Sequence, residues 1–178
     1  MYAYNIFLIG FMGTGKSTIA SAFSEKYMMK AVEMDETIAQ REGMSIPDIF
    51  AKYGEEYFRN QETVFLKEIK EMKNRIVSCG GGAVLREENV SIMRGCGRIV
   101  LLTASPEEIF RRVKNDNGRP LLKGRKSPEE IAKLLEGRRI KYENAADIIV
   151  CTDGKSKEEI CEQIWNELQR AKEREENV

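Results

Sequence analysis

The sequence predicts a three-layer α/β/α fold on a five-stranded parallel sheet, and three observations carry that prediction. Apolar runs recur at Asn5–Ile9, Ala31–Met34, Arg75–Cys79, Arg98–Leu102 and Asp147–Cys151. Longer amphipathic segments separate them, and several of these open on helix-capping chemistry. A strand that is apolar at consecutive rather than alternate positions has both faces covered, and helices between such strands supply the cover.

Taken in order, the first run leads into GFMGTGKST at residues 10–18, and a helix is expected over Thr18–Tyr27. The second run ends at Val32-Glu33-Met34-Asp35, with a helix beginning near Glu36. Between Glu56 and Met72, apolar Phe58, Phe65, Ile69 and Met72 recur at helical spacing among charged residues, which predicts one packed and one solvated face. The third run meets Gly80-Gly81-Gly82. Ser105-Pro106-Glu107-Glu108, Ser127-Pro128-Glu129-Glu130 and Ser156-Lys157-Glu158-Glu159 each place Ser at a helix cap with Glu three residues later, and in two of them proline occupies the first turn. Asn115–Lys126, with two glycines, a proline and four cations, reads as a loop. The final ten residues, QRAKEREENV, extend or fray the last helix.

At 178 residues the chain fits a single domain, 1–178, with no internal repeat or linker. Lys plus Arg equals Asp plus Glu at 29 each, so no global field draws the protein to nucleic acid or anionic lipid; a small ligand is expected. There is no histidine, which leaves acid–base work to carboxylates, lysine or tyrosine. Cys79, Cys96, Cys151 and Cys161 form no CxxC pair and read as buried thiols of a reducing cytosol. No run approaches the roughly 20 apolar residues of a membrane span, and Met1–Ile9 lacks a charged signal-peptide start, so a soluble, cytoplasmic protein is expected; without an evident exposed apolar stripe, a monomer is the simplest expectation.

Residues 10–17 fit GxxxxGK(S/T), with Gly10, Gly15, Lys16 and Ser17 between a strand and a helix. In such a phosphate-binding P-loop, glycines let successive N–H groups curl around an anion at a helix N-terminus. Lys16 then places a charge on the β- and γ-phosphates, and the Ser17 hydroxyl can ligate Mg²⁺. The loop alone does not separate a GTPase, a motor ATPase and a small-molecule kinase. No Asn-Lys-x-Asp guanine signature is present, and the third strand ends in Ser78-Cys79-Gly80 rather than carboxylates, which lowers the first two readings.

On the acceptor side, Glu33 and Asp35 fall two residues apart, which in a strand puts both on one face at the edge where α/β sheets bind ligands. Glu33 could orient a Mg²⁺-bound water and Asp35 an acceptor hydroxyl; alternatively Asp35 only caps the following helix. Gly80, Gly81 and Gly82 could lay backbone N–H groups against a substrate, or form a flexible turn. Arg59 and Arg138 could each offer a planar fork to a carboxylate, or be surface charges. Arg119-Pro120 reads either as a mobile arm over the transferring phosphoryl group or as an ordinary loop.

Together, residues 10–17, Asp35, Phe58-Arg59, Gly80-Gly81-Gly82, Arg119-Pro120-Leu121-Leu122 and Arg138 with Tyr142 resemble the shikimate kinase family in motif order and spacing over nearly the whole chain. The P-loop is widely shared, but its combination with FR, GGG, RPLL and R-x-x-x-Y is specific. The resemblance implies a nucleoside-monophosphate-kinase-like fold with a substrate-binding region near 33–61 and a mobile lid near 112–126. It implies transfer of the γ-phosphate of MgATP to the 3-hydroxyl of shikimate, within chorismate and aromatic amino-acid biosynthesis. By matching position, Gly13, Thr14, Gly15, Lys16, Ser17 and Thr18 would hold ATP, Arg112 would lie along the adenine, and Arg119 would reach the phosphates. Asp35 would hold shikimate hydroxyls and act as base, Arg59 and Arg138 would grip its carboxylate, and Gly81 would add an N–H. Lys16, Asp35 and Arg119 would then be the catalytic residues. Three departures stand out: Glu33 replaces the usual Asp, Cys79 replaces the usual Thr beside the metal site and adds an oxidisable thiol, and residues 138–142 lack the usual proline. The rivals are another small-molecule or nucleotide kinase on the same fold, and a nucleotide-binding regulatory module.

Overall fold

A computed structural model describes residues 4–114 and 127–176. Five strands, β1 (Asn5–Ile9), β2 (Lys30–Glu33), β3 (Arg75–Ser78), β4 (Gly97–Thr103) and β5 (Ile148–Cys151), form a sheet in the order β2-β3-β1-β4-β5. Every pairing is parallel. The helices are α1 (Lys16–Tyr27), α2 (Met34–Glu42), α3 (Ile46–Lys70), α4 (Glu87–Cys96), α5 (Pro106–Val113), α6 (Pro128–Ala145) and α7 (Lys157–Glu176), with a 3-10 turn at Ala83–Leu85. The loop expected over Asn115–Lys126, and Arg119 with it, lies outside the described residues.

The contiguous apolar runs are explained by cover on both sides. All five residues of β1 are buried. Ile6 and Leu8 join Ile19, Phe23 and Ile164 of α1 and α7, whereas Phe7 and Ile9 join Met34, Phe65 and Tyr142 on the opposite face. Each such burial is worth roughly 1.5–3 kcal/mol, and β1 is held from both faces. Asn5 is the polar exception in this strand. It is fully buried, donates to the Ile69 and Met72 carbonyls and accepts from the Arg75 N–H, which ties the end of α3 to the start of β3.

The expected caps form: Ser105 accepts from the Glu108 N–H and Ser127 from that of Glu130, and Ser156 makes the reciprocal box with Glu159. α3 differs from expectation. It starts ten residues before Glu56, where Ser45 accepts from the Asp48 N–H at 3.3 Å, and Gly54 kinks it at φ 83°, ψ 171°. Met72 lies past its end and is exposed, while one of its charged positions, Glu62, is fully buried. The cysteines form no disulfide; Cys79 and Cys161 are buried as expected, but Cys96 is half-buried and Cys151 exposed, because Cys151 sits on an outward position of the edge strand β5. Among the described residues, no helix is long and apolar enough to cross a membrane.

The strand order places β1 between β3 and β4, so the chain leaves β1 in one direction and later returns on its other side. Ligands of α/β sheets bind at such a reversal, outside the carboxyl ends of the strands. The segments after β1, β2 and β3 all meet there.

Candidate active site

The P-loop follows β1 directly. Gly10, Gly13 and Gly15 all take positive φ, 140°, 79° and 94°, and a Cβ on Gly10 would overlap the Leu102 carbonyl oxygen, while one on Gly13 would lie 2.8 Å from Val113 Cγ1. Only glycine tolerates both the conformation and the crowding. Thr14 Oγ1 donates to the Phe11 carbonyl at 2.8 Å and closes the turn. Lys16 Nζ reaches back across the loop to the carbonyls of Gly10 at 2.9 Å and Phe11 at 3.0 Å, so its charge is held over the concavity. Ser17 and Thr18 are exposed in the first turn of α1, where the helix dipole favours an anion.

Ser17 Oγ donates to Glu33 Oε2 at 3.0 Å and lies 3.4 Å from the Ser78 hydroxyl. Burial pushes the Glu33 carboxyl up, against the hydrogen bonds from Ser78 and Ser17 that favour its charged form. This longer carboxylate therefore spans from β2 to the first turn of α1. Cys79, by contrast, turns its sulfur into the core toward the Val77 carbonyl and Met93, and burial raises its thiol far above the ordinary range. It neither joins the expected metal site nor offers a reactive thiolate.

Glu33 and Asp35 do not share one strand face. β2 stops at Glu33, and Asp35 is the second residue of α2, in the first turn where an acid suits the dipole. Its carboxylate nevertheless meets the glycine run: a Cβ on Gly80 would lie 2.6 Å from Asp35 Oδ1 and 2.7 Å from Glu62 Oε1. A Cβ on Gly82 would overlap the Arg59 guanidinium, and one on Gly81 would lie 3.7 Å from the Gly10 carbonyl oxygen and 3.8 Å from the Tyr142 hydroxyl. Side chains from three helices and the P-loop converge on this turn, so a side chain at Gly80 or Gly82 would have to displace them, whereas Gly81 has room for a Cβ. Of the expected backbone donors, Gly80 N–H is instead directed at Met34 Sδ, 3.5 Å away in the core.

Arg59 is held from two sides, Nη1 to Glu62 Oε2 at 2.8 Å and Nη2 to Glu55 Oε1 at 3.0 Å. Burial pulls its pKa down, but the two carboxylates outweigh that and raise it. Glu62 itself is fully buried, one oxygen, Oε1, has no hydrogen-bond partner, and burial lifts its pKa to about 7 despite the neighbouring Arg59. The sequence reading missed Glu62; its only signal was the three-residue spacing from Arg59 along one helix face. Of the two adjacent arginines, Arg138 Nη1 donates to the Gly81 carbonyl at 3.3 Å, where Tyr142 also donates its hydroxyl, while Arg139 faces outward to Glu136 and Glu143. Arg112 braces the P-loop, donating to the Gly13 carbonyl at 3.1 Å and to Thr152 Oγ1 at 3.1 Å, with Glu108 on its Nε.

One site thus joins a phosphate cradle to a turn ringed by two arginines and two carboxylates. Comparison with known proteins agrees with it. The family model "Shikimate kinase" matches residues 12–169. A shikimate kinase from Dehalococcoides mccartyi is 46% identical over 166 residues, 93% of this chain and 94% of the relative. Among solved structures, a shikimate kinase from Acinetobacter baumannii in complex with shikimate aligns with TM-score 0.89 at 30% identity, covering 95% of this chain and 94% of the other. A shikimate kinase from Aquifex aeolicus aligns with TM-score 0.80 at 39% identity, covering 93% and 96%. With the family model matched over most of its length and relatives this close, the chain belongs to the shikimate kinase family.

Proposed function

We infer that the protein is a shikimate kinase, transferring the γ-phosphate of ATP to the 3-hydroxyl of shikimate to give shikimate 3-phosphate and ADP. The observation that carries this reading is the contact between the glycine turn and the P-loop: a Cβ on Gly81 would lie 3.7 Å from the Gly10 carbonyl oxygen and 4.0 Å from the Met12 nitrogen. Acceptor groups gathered on that turn therefore face the phosphate cradle at close range.

In this reading Arg59 and Arg138 bind the acceptor carboxylate from either side of the turn, with Gly81 N–H beside them, and Asp35 orients the hydroxyl. The hydroxyl oxygen bonds to the γ-phosphorus as the bond to the β,γ-bridging oxygen breaks; ADP leaves with that electron pair and Asp35 takes the hydroxyl proton. Lys16 neutralises charge on the phosphates, and Arg119, named from sequence alone, adds a second cation. Arg112 holds the loop's outer edge, beside the base. No histidine is needed, because phosphoryl transfer asks chiefly for alignment and charge.

The Ser17 hydroxyl, as a direct ligand, and Glu33, through water, would hold Mg²⁺; their oxygen atoms, 3.0 Å apart, suit a hard cation. When bound, the ion neutralises the β- and γ-phosphate oxygens. Among the described residues no group of three or more His, Cys, Asp and Glu forms a cage, which fits a cation carried in mainly by the nucleotide. A cytoplasmic monomer is the setting that accords with a neutral chain and a small-molecule acceptor.

The test is ADP release from MgATP with and without shikimate, with quinate, gluconate, AMP and CMP as parallel acceptors. Stimulation by shikimate alone is expected. Turnover on another acceptor without shikimate turnover would overturn the roles given to Asp35, Arg59 and Arg138. ATP binding with no acceptor-dependent release would favour a regulatory module.

A further inference from the structure

Two elements that frame the acceptor site, α3 with Arg59 and the 3-10 turn that follows Gly82, are joined by a polar pair in a buried interface. Thr63 is 5% exposed and Asn89, in the first turn of α4, is fully buried. The Thr63 hydroxyl donates to Asn89 Oδ1 at 2.7 Å, with the Arg59 carbonyl 3.1 Å from the same hydroxyl, and Asn89 Nδ2 donates to the Ala83 carbonyl at 2.9 Å. Arg86 adds an outer link, donating to Asn60 Oδ1 at 2.8 Å and Glu56 Oε1 at 2.5 Å on α3. The link thus runs from Thr63, one turn after Arg59 on α3, through the Asn89 side chain to the residue after Gly82.

Part of the pair is accounted for by stability, since Asn89 supplies the donor to the buried Ala83 carbonyl. Exchanging both partners of the Thr63–Asn89 bond for apolar groups of similar shape can be nearly neutral, so stability does not account for that bond itself. Hydrogen bonds add direction and length: they hold a donor and acceptor within a few tenths of an ångström, whereas apolar surfaces can slide. The spacing they would hold is a close one, since a Cβ on Gly82 would lie 2.3 Å from Arg59 Nη1.

We propose that Thr63 and Asn89 are positioning residues for the acceptor site: together they set the register between Arg59 and the Gly80–Gly82 turn, and through it the fit of the acceptor carboxylate. The proposal rests on the shikimate kinase reading. It concerns the acceptor half alone, so the nucleotide half supplies an internal reference.

The experiment compares Thr63→Val, Asn89→Leu, the double variant and Thr63→Ser by urea unfolding and by steady-state kinetics in shikimate and in MgATP. Each single variant is expected to raise the shikimate KM about tenfold, in keeping with the steep cost of small misplacements, and to leave the MgATP KM within about twofold. Thr63→Ser, which keeps the hydroxyl, should stay within about twofold of wild type in both. The double variant should regain part of the stability lost by the singles, because Thr63 and Asn89 no longer leave each other unpaired and only the Ala83 carbonyl stays without its donor, yet keep the raised shikimate KM. That split is what a purely structural role would not produce. A double variant whose shikimate KM returns to the wild-type value, or singles in which both KM values move together with stability, would overturn the proposal. Should a single variant fail to fold, the double variant carries the test. Wild-type turnover of shikimate tests the functional reading separately; if another carboxylate acceptor is turned over instead, the same ratios measured on it still decide the positioning.

Discussion

Replacing Glu62 by Gln isolates the cost of burying one carboxylate beside the acceptor site. Glu62 is fully buried, its pKa is lifted from 4.5 to about 7 chiefly by burial, and Arg59 only partly compensates. A carboxyl whose pKa is higher in the folded chain than in the unfolded one binds more protons when folded, at every pH between the two values. Stability from this group is therefore highest below pH 4.5 and falls as pH rises through 7, the reverse of a salt-bridged carboxylate with a depressed pKa. At about 1.36 kcal/mol per tenfold change in proton affinity, that rise corresponds to roughly 3 kcal/mol in all, most of it lost between pH 5 and pH 8. Glu62→Gln keeps the shape and removes the titration. Urea unfolding at pH 5, 6, 7 and 8 should show the wild type losing roughly 2–3 kcal/mol relative to the variant across that interval, once the variant's own pH dependence is subtracted. Parallel profiles would refute the reasoning and mean that Glu62 stays ionised throughout, held by Arg59 more strongly than burial opposes it.

The remaining predictions concern the site groups one at a time. Asp35→Asn should lower kcat roughly a hundred- to ten-thousandfold with a smaller change in shikimate KM, the range expected for losing a general base; steady-state assay decides it. Arg138→Ala should raise shikimate KM about tenfold or more, the scale of one charge-assisted hydrogen bond, whereas Arg139→Ala, whose guanidinium faces Glu136 and Glu143, should leave it nearly unchanged. Equal effects would return the choice between the two arginines to open ground. Gly82→Ala must displace the Arg59 guanidinium and should weaken shikimate binding, read by calorimetry, while nucleotide binding is retained. Arg119→Ala should lower kcat far more than it raises shikimate KM; the opposite split would remove Arg119 from the phosphoryl-transfer step.

Much of the fold is legible because the sheet is buried on both faces. Each strand then becomes an apolar run, and β1 was bounded to the residue at Asn5–Ile9. The three Ser–Pro or Ser–Lys caps were equally readable, since capping is a local exchange between a side chain and nearby backbone N–H groups. The start of α3 was not. Its cap, Ser45, is followed by Asp48 rather than Glu three residues on, and Gly54 in mid-helix resembles a break. Asp35 was assigned to the right neighbourhood for the wrong reason: the period-two argument assumed that β2 continued, whereas the chain turns into α2 at Met34. Glu62 was invisible because burial of a charge is decided by what other elements bring to it. A residue in a charged stretch of helix reads as solvated until the glycine turn is placed on top of it.

That placement also explains why three consecutive glycines suit a position that looks like a flexible turn. Flexibility would be a poor reason, because Ala83 N–H donates to the Gly80 carbonyl and Leu85 N–H to that of Gly82, each at 3.0 Å, so the segment is wound into a defined turn. The stronger reason is crowding: Asp35 and Glu62 fill the space at Gly80, and Arg59 that at Gly82. A side chain at Gly80 or Gly82 would compete for space with Asp35, Glu62 or Arg59. The same crowding fixes how much freedom Arg59 retains. With Glu55 and Glu62 bonded to its guanidinium and Gly82 close against it, its side chain is held in place from several sides. A preorganised arginine loses less conformational entropy on binding a carboxylate than one that must be ordered by it. The buried charge of Glu62, unfavourable for the stability of the fold, is in this view the counterpart of a binding group that is already in place when the acceptor arrives.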